Sequence, residues 1–203
     1  MKKITEYIGS QFGNPHGFVG AVCCLCMNVI NQKMYNKIVS LMDAKDGEAI
    51  LDIGYGNGFL LREINKNFKV KMHGIDISED MKAIATKRNR RAMQDGRLEL
   101  QVGNCCELPY EDNMFSTVTS VNTIYFWEDT VKGLSEIKRV LKPGASFLNV
   151  VYTKEWLDKM SITKKGFKKY GSEDLVSLGK QAGFENIQVK DIVKGKSFVV
   201  IYT

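Results

Sequence analysis

The stretch ILDIGYGNG combines residue types that could hold a nucleotide. An apolar run containing Asp52 passes directly into three alternating glycines, Gly54, Gly56 and Gly58. A glycine turn that follows a strand lets backbone N–H groups approach a nucleotide closely. The dinucleotide pattern G-x-G-x-x-G would need a glycine where this chain has Phe59. The spacing therefore disfavours a pyrophosphate and favours a ligand that contains an adenosine without phosphate groups.

A second carboxylate ends the next predicted strand. Asp76 is the last residue of VKMHGID at 70–76. A carboxylate at this position can accept hydrogen bonds from both hydroxyls of a ribose. Each signal alone has a plainer explanation, because glycines can serve only a turn and an aspartate can serve only a strand end. Together they predict an adenosine site at one edge of a sheet.

Alternating strand and helix patterns past residue 47 would build that sheet. Apolar residues at helical spacing follow Gly58. Ser78 and Ser172 are predicted to cap two further helices. A helix that begins near Val131 is predicted to stop before Pro143. Repeated strand–helix units favour a parallel sheet with helices on both faces, and the last two strands favour a hairpin. The fold class is therefore α/β, doubly wound, with a mostly parallel seven-stranded sheet and a terminal antiparallel strand. The predicted strands are 49–54, 70–76, 97–103, 115–124, 145–152, 187–193 and 196–203.

The 203 residues are predicted to form a single domain with three parts. Residues 1–47 form a helical lid, residues 48–152 form the cofactor-binding core, and residues 153–203 supply a helix and the hairpin. Within the lid, GNPHGF places turn residues around His16, which is typical of a hinged cover. The apolar run at 18–27 is too short to span a bilayer, so no stable membrane insertion is expected.

Composition limits the possible partners. Apolar residues make up 44% of the chain, which is ordinary for a globular protein, and five cysteines suggest neither a disulfide framework nor a metal site. We expect reduced thiols in a cytoplasmic protein. The net charge is +6, but residues 99–136 contain seven acids and a single base, Lys132. Acids near the expected site repel phosphates, so nucleic acid is disfavoured as a substrate.

Four motifs resemble those of a known enzyme family. The segments DIGYGNG, GIDIS, GNCCELPYEDNMFSTVTS and LKPGASFL look like the successive motifs of class I S-adenosylmethionine-dependent methyltransferases. Their order and spacing match over 48–152. The resemblance is greatest to the small-molecule branch that includes the ubiquinone/menaquinone methyltransferase-like enzymes. It implies transfer of a methyl group from S-adenosylmethionine to a small-molecule acceptor.

The resemblance implies which residues bind the methionine part of the cofactor. Asp52 would hold it together with Gly54, Gly56 and Gly58, and Tyr55 would lie over it. The methyl group of S-adenosylmethionine is already activated on a sulfonium, so the protein's task is mainly positioning and the exclusion of water.

A second group would bind the adenosine. Asp76 would bind the ribose hydroxyls, with Ile77 and Met81 against the adenine and Cys105 beside it. The family usually has an aspartate where this chain has Asn104. An amide oxygen can still accept a hydrogen bond from the adenine amino group.

Candidates for the acceptor side follow the fourth strand. Asn122 would flank the sulfonium end, and Tyr125 and Trp127 could line the acceptor pocket. Tyr125 and His16 are the two catalytic candidates, both for positioning the substrate. His73, inside a strand, reads as a core histidine.

Two other functions remain open from the sequence. The chain could bind S-adenosylmethionine without catalysis, as a sensor or partner subunit, because fold and motif do not exclude it. A nicotinamide oxidoreductase is disfavoured by the glycine spacing. The identity of the acceptor and the oligomeric state are left open.

Overall fold

The computed structural model describes residue 9 and residues 17–203, apart from the side chains at 18 and 21–25. Its strands are β1 (Ala49–Ile53), β2 (Lys71–Asp76), β3 (Leu98–Val102), β4 (Phe115–Val121), β5 (Leu141–Tyr152), β6 (Ile187–Val193) and β7 (Ser197–Tyr202). They form one seven-stranded sheet in the order β3-β2-β1-β4-β5-β7-β6. β7 pairs antiparallel with β5 and β6, and the other pairs are parallel. The predicted fold class is confirmed.

The described helices are α1 (Gly17–Ile30), α2 (Gln32–Leu41), α3 (Phe59–Asn67), α4 (Glu79–Arg88), α5 (Arg90–Gln94), α6 (Thr130–Val140), α7 (Lys154–Asp158) and α8 (Ser172–Gln181). Short 3-10 helices cover Ile124–Phe126 and Ser161–Thr163. α6 and α8 pack together next to β5 and β7, while α2 contacts β4 and β5. Within the described residues, no helix has both the length and the hydropathy to span a bilayer.

Several predicted boundaries differ from those in the structure. The fourth strand stops at Val121, because Asn122 adopts a left-handed backbone conformation with φ 58° and the chain then turns into a 3-10 helix. The basic run at 87–91 predicts that the helix after Ser78 extends to Arg91, but the helix ends at Arg88, because Asn89 separates it from α5. The cap of α8 is Gly171 and not Ser172, and the N–H of Gly171 donates to Asp174 Oδ2 at 2.8 Å.

The amino-terminal helices are joined at Asn31. In α2, Met34 and Ile38 are buried in the core. α1 ends at Ile30, which is 54% exposed beside the break at Asn31. Residues 17–41 therefore form helices that reach the carboxyl end of the sheet, where α1 contributes Met27 to a cavity wall.

The order in which strands are added to the sheet reverses between the parallel neighbours β1 and β4. From β1 the chain proceeds to β2 and β3 on one side, and from β4 it proceeds to β5 on the other side. In open α/β sheets, ligands bind beyond the carboxyl ends of the strands at such a switch point. The glycine turn after β1 lies at this position.

Candidate functional site

A cavity of about 630 Å³ opens at the carboxyl ends of β1, β2, β4 and β5. One half is lined by residues that follow β1, β2 and β3, and the other half by residues that follow β4 and β5. Nearly all the residues that the sequence predicted for the cofactor line it: Asp52, Gly54, Tyr55, Gly56, Asp76, Ile77, Asn104, Cys105 and Asn122. The catalytic candidate Tyr125 also lines it, as does Trp127.

The glycine turn forms the floor of the first half. Gly54 has φ 69°, and a Cβ built there would lie 2.3 Å from Thr123 Cγ2. Gly56 has φ 51°, and a Cβ there would meet no atom within 4 Å. Positive φ values favour glycine at both positions. At Gly54 the close approach of Thr123 adds a second requirement, whereas at Gly56 the space above the backbone stays open for a ligand.

Gly58 and Met81 do not line the cavity, although the sequence predicted cofactor contacts for both. Gly58 is the N-cap of α3, and a Cβ there would lie 2.9 Å from the Ala85 side chain. It therefore serves the packing of α3 against α4. Met81 is fully buried, and its N–H donates to Ser78 Oγ at 3.3 Å. The cap at Ser78 sets the helix phase that turns Met81 into the core.

Asp76 is buried at the end of β2 and orders the glycine turn. Its Oδ2 accepts from the N–H of Gly56 at 2.8 Å, and its Oδ1 accepts from the N–H of Ser78 at 3.0 Å. Burial raises the pKa of this carboxyl, and the backbone hydrogen bonds from Gly56 and Ser78 oppose that effect. Asp76 lines the cavity beside exposed Ile77, and a carboxylate has enough lone pairs to accept further hydrogen bonds from a ligand.

Asp52 is the most deeply buried carboxyl of the site. Its Oδ1 accepts from Thr119 Oγ1 at 2.8 Å. Burial raises the pKa of Asp52 to about 7, the Thr119 hydroxyl lowers it, and the charge of Asp76 raises it further. Near neutral pH, Asp52 therefore exists in both protonation states.

This pKa predicts a pH dependence of the stability of the ligand-free protein. The unfolded carboxyl titrates near its ordinary value of 3.8, so unfolding releases a proton between that pH and about 7. The stabilisation from the protonated group is complete below pH 3.8 and is lost as pH rises through about 7. We expect the free energy of unfolding to fall by up to about 1.4 kcal/mol per pH unit within this window.

The measurement is urea denaturation of the wild type and of Asp52→Asn between pH 5.5 and 8. The asparagine cannot ionise, so the wild type should lose stability relative to the variant as pH rises. If the free energy of unfolding changed with pH in the same way in both proteins, ionisation of Asp52 would not be the cause of the pH dependence.

Asn104 and Cys105 follow β3 at the edge of the first half. Asn104 Oδ1 accepts from the N–H of Cys106 at 2.9 Å. This leaves the Asn104 amide group and one oxygen lone pair available to a ligand. The Cys105 thiol is buried, and burial raises its pKa, so it is a small apolar wall residue and not a thiolate.

Tyr55 lines the cavity and also contacts the neighbouring strands. Its ring packs against Gly74 and its hydroxyl donates to the carbonyl of Gln101 at 3.1 Å. These two contacts join the glycine turn to β2 and β3. Its predicted contact with the methionine part stays a prediction.

Asn122 and Tyr125 lie at the junction of the two halves. The Tyr125 hydroxyl donates to Asn122 Oδ1 at 3.1 Å and accepts from the N–H of Tyr152 at 2.6 Å. The Asn122 amide donates to Met34 Sδ at 3.4 Å. Tyr125 is fully buried, and burial raises its pKa well above the ordinary value. Its hydroxyl can therefore hold the wall in place, but it is not suited to removing a proton from a substrate.

The two histidines differ in what can be said of them. His16 lies outside the described residues, so its proposed role stays a prediction. His73 lies at the opposite end of β2, where its ring stacks edge-on against Tyr110 and Phe115 and burial lowers its pKa. It is partly buried at the margin of the core, with its Nδ1 3.6 Å from Glu99 Oε2. Among the described residues, no group of three His, Cys, Asp or Glu side chains is arranged to hold a metal ion.

The sequence did not point to several residues in the second half of the cavity. Tyr152 ends β5, and its hydroxyl donates to Asn31 Oδ1 at 2.7 Å. Trp156 begins the wall beyond it, and Lys196 comes from the β6–β7 turn with its Nζ 4.6 Å from the Trp156 ring centroid. No local pattern marks these residues, because their neighbours in the site are distant in the sequence.

Comparisons with known proteins agree with this geometry. The model of a family described as a methyltransferase domain matches residues 51–149. A demethylmenaquinone methyltransferase of Bacillus mycoides (strain KBAB4) is 30% identical over 186 residues, which cover 76% of this chain and 77% of that protein. Phosphoethanolamine N-methyltransferase 2 of Caenorhabditis elegans is 32% identical over 155 residues, covering 74% of this chain. The chain spans only 35% of the length of that second relative.

A solved methyltransferase structure is also similar to this chain. Phosphoethanolamine N-methyltransferase 2 of Haemonchus contortus, in complex with S-adenosyl-L-methionine, matches with a TM-score of 0.68 and 30% identity. The match covers 79% of this chain and 38% of that one.

Proposed function

Because the chain belongs to the class I S-adenosylmethionine-dependent methyltransferases, we propose that it transfers a methyl group from S-adenosylmethionine to a small-molecule acceptor. The observation that carries this proposal is one continuous cavity whose two halves adjoin at Asn122. One half has the polar groups that a nucleoside needs, and the other is mainly apolar and aromatic.

The residues of the first half fit the cofactor. The open space above Gly56 would accept it, and the free lone pairs of buried Asp76 would accept hydrogen bonds from the ribose hydroxyls. Asp52 and the glycine turn would hold the methionine part. Asn104, together with Ile77 and Cys105, would border the adenine. The bound cofactor supplies an activated methyl group on a sulfonium.

The second half would hold the acceptor. Phe126, Trp156 and Phe167 give it aromatic walls, and the Phe126 and Phe167 rings lie 4.7 Å apart. Apolar walls exclude water and orient the acceptor toward the first half, and such positioning can lower the activation barrier by roughly 7–11 kcal/mol. In this proposal Tyr125 acts as a positioning residue through Asn122. We also propose that His16 contacts the acceptor and helps to position it.

We also propose that residues 1–203 act as one methyltransferase unit, with the lid at 1–47. The lid proposal is supported by Met27 and Asn28, which border the cavity. A cytoplasmic location is supported by the free thiols of Cys26, Cys105 and Cys106. Of the seven acids at 99–136, only Glu128 lines the cavity, and its negative charge disfavours nucleic acid as the acceptor.

Transfer of a labelled methyl group tests the proposal. The protein is incubated with S-adenosylmethionine labelled on its methyl group and with a small-molecule metabolite extract. We expect label to appear in at least one extracted small molecule, and the Asp76→Ala variant to transfer little. Cofactor binding without any transfer would contradict catalysis and favour a sensor or partner subunit.

A further inference from the structure

Lys196 is the one basic side chain that lines the cavity within the described part of the chain. It lies in the turn between β6 and β7, and its backbone carbonyl accepts from the N–H of Thr153 at 2.9 Å. That bond fixes the turn to the end of β5. Because β5 lies on the far side of β4 from the glycine turn, Lys196 belongs to the second half of the cavity.

Aromatic rings hold the ammonium group at the wall. Lys196 Nζ lies 4.6 Å from the ring centroid of Trp156 and 5.9 Å from that of Tyr152. Both distances fall within the range of a cation–π interaction. Tyr152 is in turn fixed by its hydrogen bond to Asn31. The position of the charge is therefore defined by packed side chains.

No carboxylate among the described residues forms an ion pair with Lys196. By contrast, the nearby Lys154 and Lys169 both pair with Asp158 at 2.9 Å. The acids of the cavity are Asp52, Asp76 and Glu128. The first two follow β1 and β2, across the switch point from Lys196. Glu128 is exposed and forms no ion pair with Lys196. Lys196 therefore lines the mainly apolar half of the cavity without a carboxylate partner among the described residues.

We propose that Lys196 selects acceptors that have an anionic group, a carboxylate or a phosphate, on an apolar body. This inference rests on the proposed function, because it assigns the second half of the cavity to the acceptor. The anionic group pairs with the Lys196 ammonium, and the apolar body lies against Trp156, Phe126 and Phe167. The ion pair orients the acceptor, so its far end points toward the first half of the cavity.

A merely structural lysine would behave differently. A lysine that only covers Trp156 with its aliphatic stem would not distinguish a charged ligand from a neutral one of the same shape. A lysine that pairs with the cofactor would affect binding of S-adenosylhomocysteine. Matched acid and neutral ligands therefore separate the three roles.

The test measures binding of ligand pairs to the full chain saturated with S-adenosylhomocysteine. The pairs are 2-naphthoate with 2-naphthamide, and 2-naphthyl phosphate with 2-naphthol. Binding of each ligand is measured by the change in tryptophan fluorescence. We expect at least one anion to bind about tenfold or more tightly than its neutral partner. That preference should disappear in Lys196→Met and persist in Lys196→Arg. The control is Lys194→Met, an exposed lysine in the same turn that does not line the cavity.

Three results would overturn the inference. The first is that the wild type binds no anion, or binds both members of each pair equally tightly. The second is that the preference for the anion survives in Lys196→Met. The third is that Lys196→Met loses affinity for S-adenosylhomocysteine. Each leaves the proposed function standing as long as the wild type still binds S-adenosylhomocysteine. Failure of the wild type to bind S-adenosylhomocysteine would instead contradict the proposed function itself.

Discussion

Replacing Asp76 with alanine is expected to weaken the binding of S-adenosylmethionine by roughly 2–3 kcal/mol, because charge-assisted hydrogen bonds to the ribose are lost. The structure adds a second cause. The same carboxylate accepts from the N–H groups of Gly56 and Ser78, so its removal also leaves the glycine turn without an acceptor. Both effects act on the cofactor half of the cavity.

Isothermal calorimetry of the wild type, Asp76→Ala and Glu79→Ala measures this effect. Glu79 is an exposed acid in the first turn of α4, three residues from Asp76, and it does not line the cavity. Its replacement controls for the loss of a nearby negative charge and should change the dissociation constant little. If a folded Asp76→Ala variant bound the cofactor as tightly as the wild type, Asp76 would be only a strand-end residue.

Gly54→Ala is expected to lower the free energy of unfolding by about 2–5 kcal/mol. The left-handed backbone at φ 69° disfavours any L-residue by roughly 1–2 kcal/mol. The new Cβ would also lie 2.3 Å from Thr123 Cγ2, and such overpacking adds roughly 1–3 kcal/mol. Thr123 cannot move away freely, since its hydroxyl pairs with Ser120 and accepts from Trp127 Nε1.

Gly96→Ala is the matched control. Gly96 has φ 66° in a turn at the other end of the sheet, and a Cβ there meets nothing within 4 Å. Urea denaturation should show the backbone penalty alone for Gly96→Ala and a clearly larger loss for Gly54→Ala. Equal losses would mean that the approach of Thr123 does not constrain position 54.

The cofactor half of the cavity could be predicted because its residues are close in the sequence. The glycine turn directly follows β1, and Asp76 ends the next strand, so strand ends alone bring them to one edge of the sheet. Parallel strands put their carboxyl ends together whatever the side chains between them. The same logic predicted Asn104 and Asn122 at strand ends, and both line the cavity.

Met81 illustrates where this logic ends. The sequence indicates a helix after Ser78, but the direction of each side chain depends on where the first turn begins. The Ser78 hydroxyl caps the N–H of Met81, and this phase turns the side chain into the core. Gly58 likewise serves the contact between α3 and α4, which no strand pattern reveals.

The acceptor half could not be predicted because it is assembled from distant segments. Asn31 and Tyr152 are 121 residues apart, yet their side chains are joined by a hydrogen bond. Lys196 reaches Trp156 only because the terminal hairpin adds β7 beside β5. Such contacts depend on tertiary packing, so residue type and spacing give no signal for them.

The most direct test of the central claim is calorimetry of the full chain with S-adenosylmethionine, S-adenosylhomocysteine and NAD. The glycine turn, Asp52 and Asp76 fit a nucleoside with a methionine part and provide no helix start of the dinucleotide type. Both sulfur-containing ligands are therefore expected to bind at one site per chain and to raise the melting temperature by mass action, while NAD does neither. Binding of NAD without binding of S-adenosylmethionine would contradict the account.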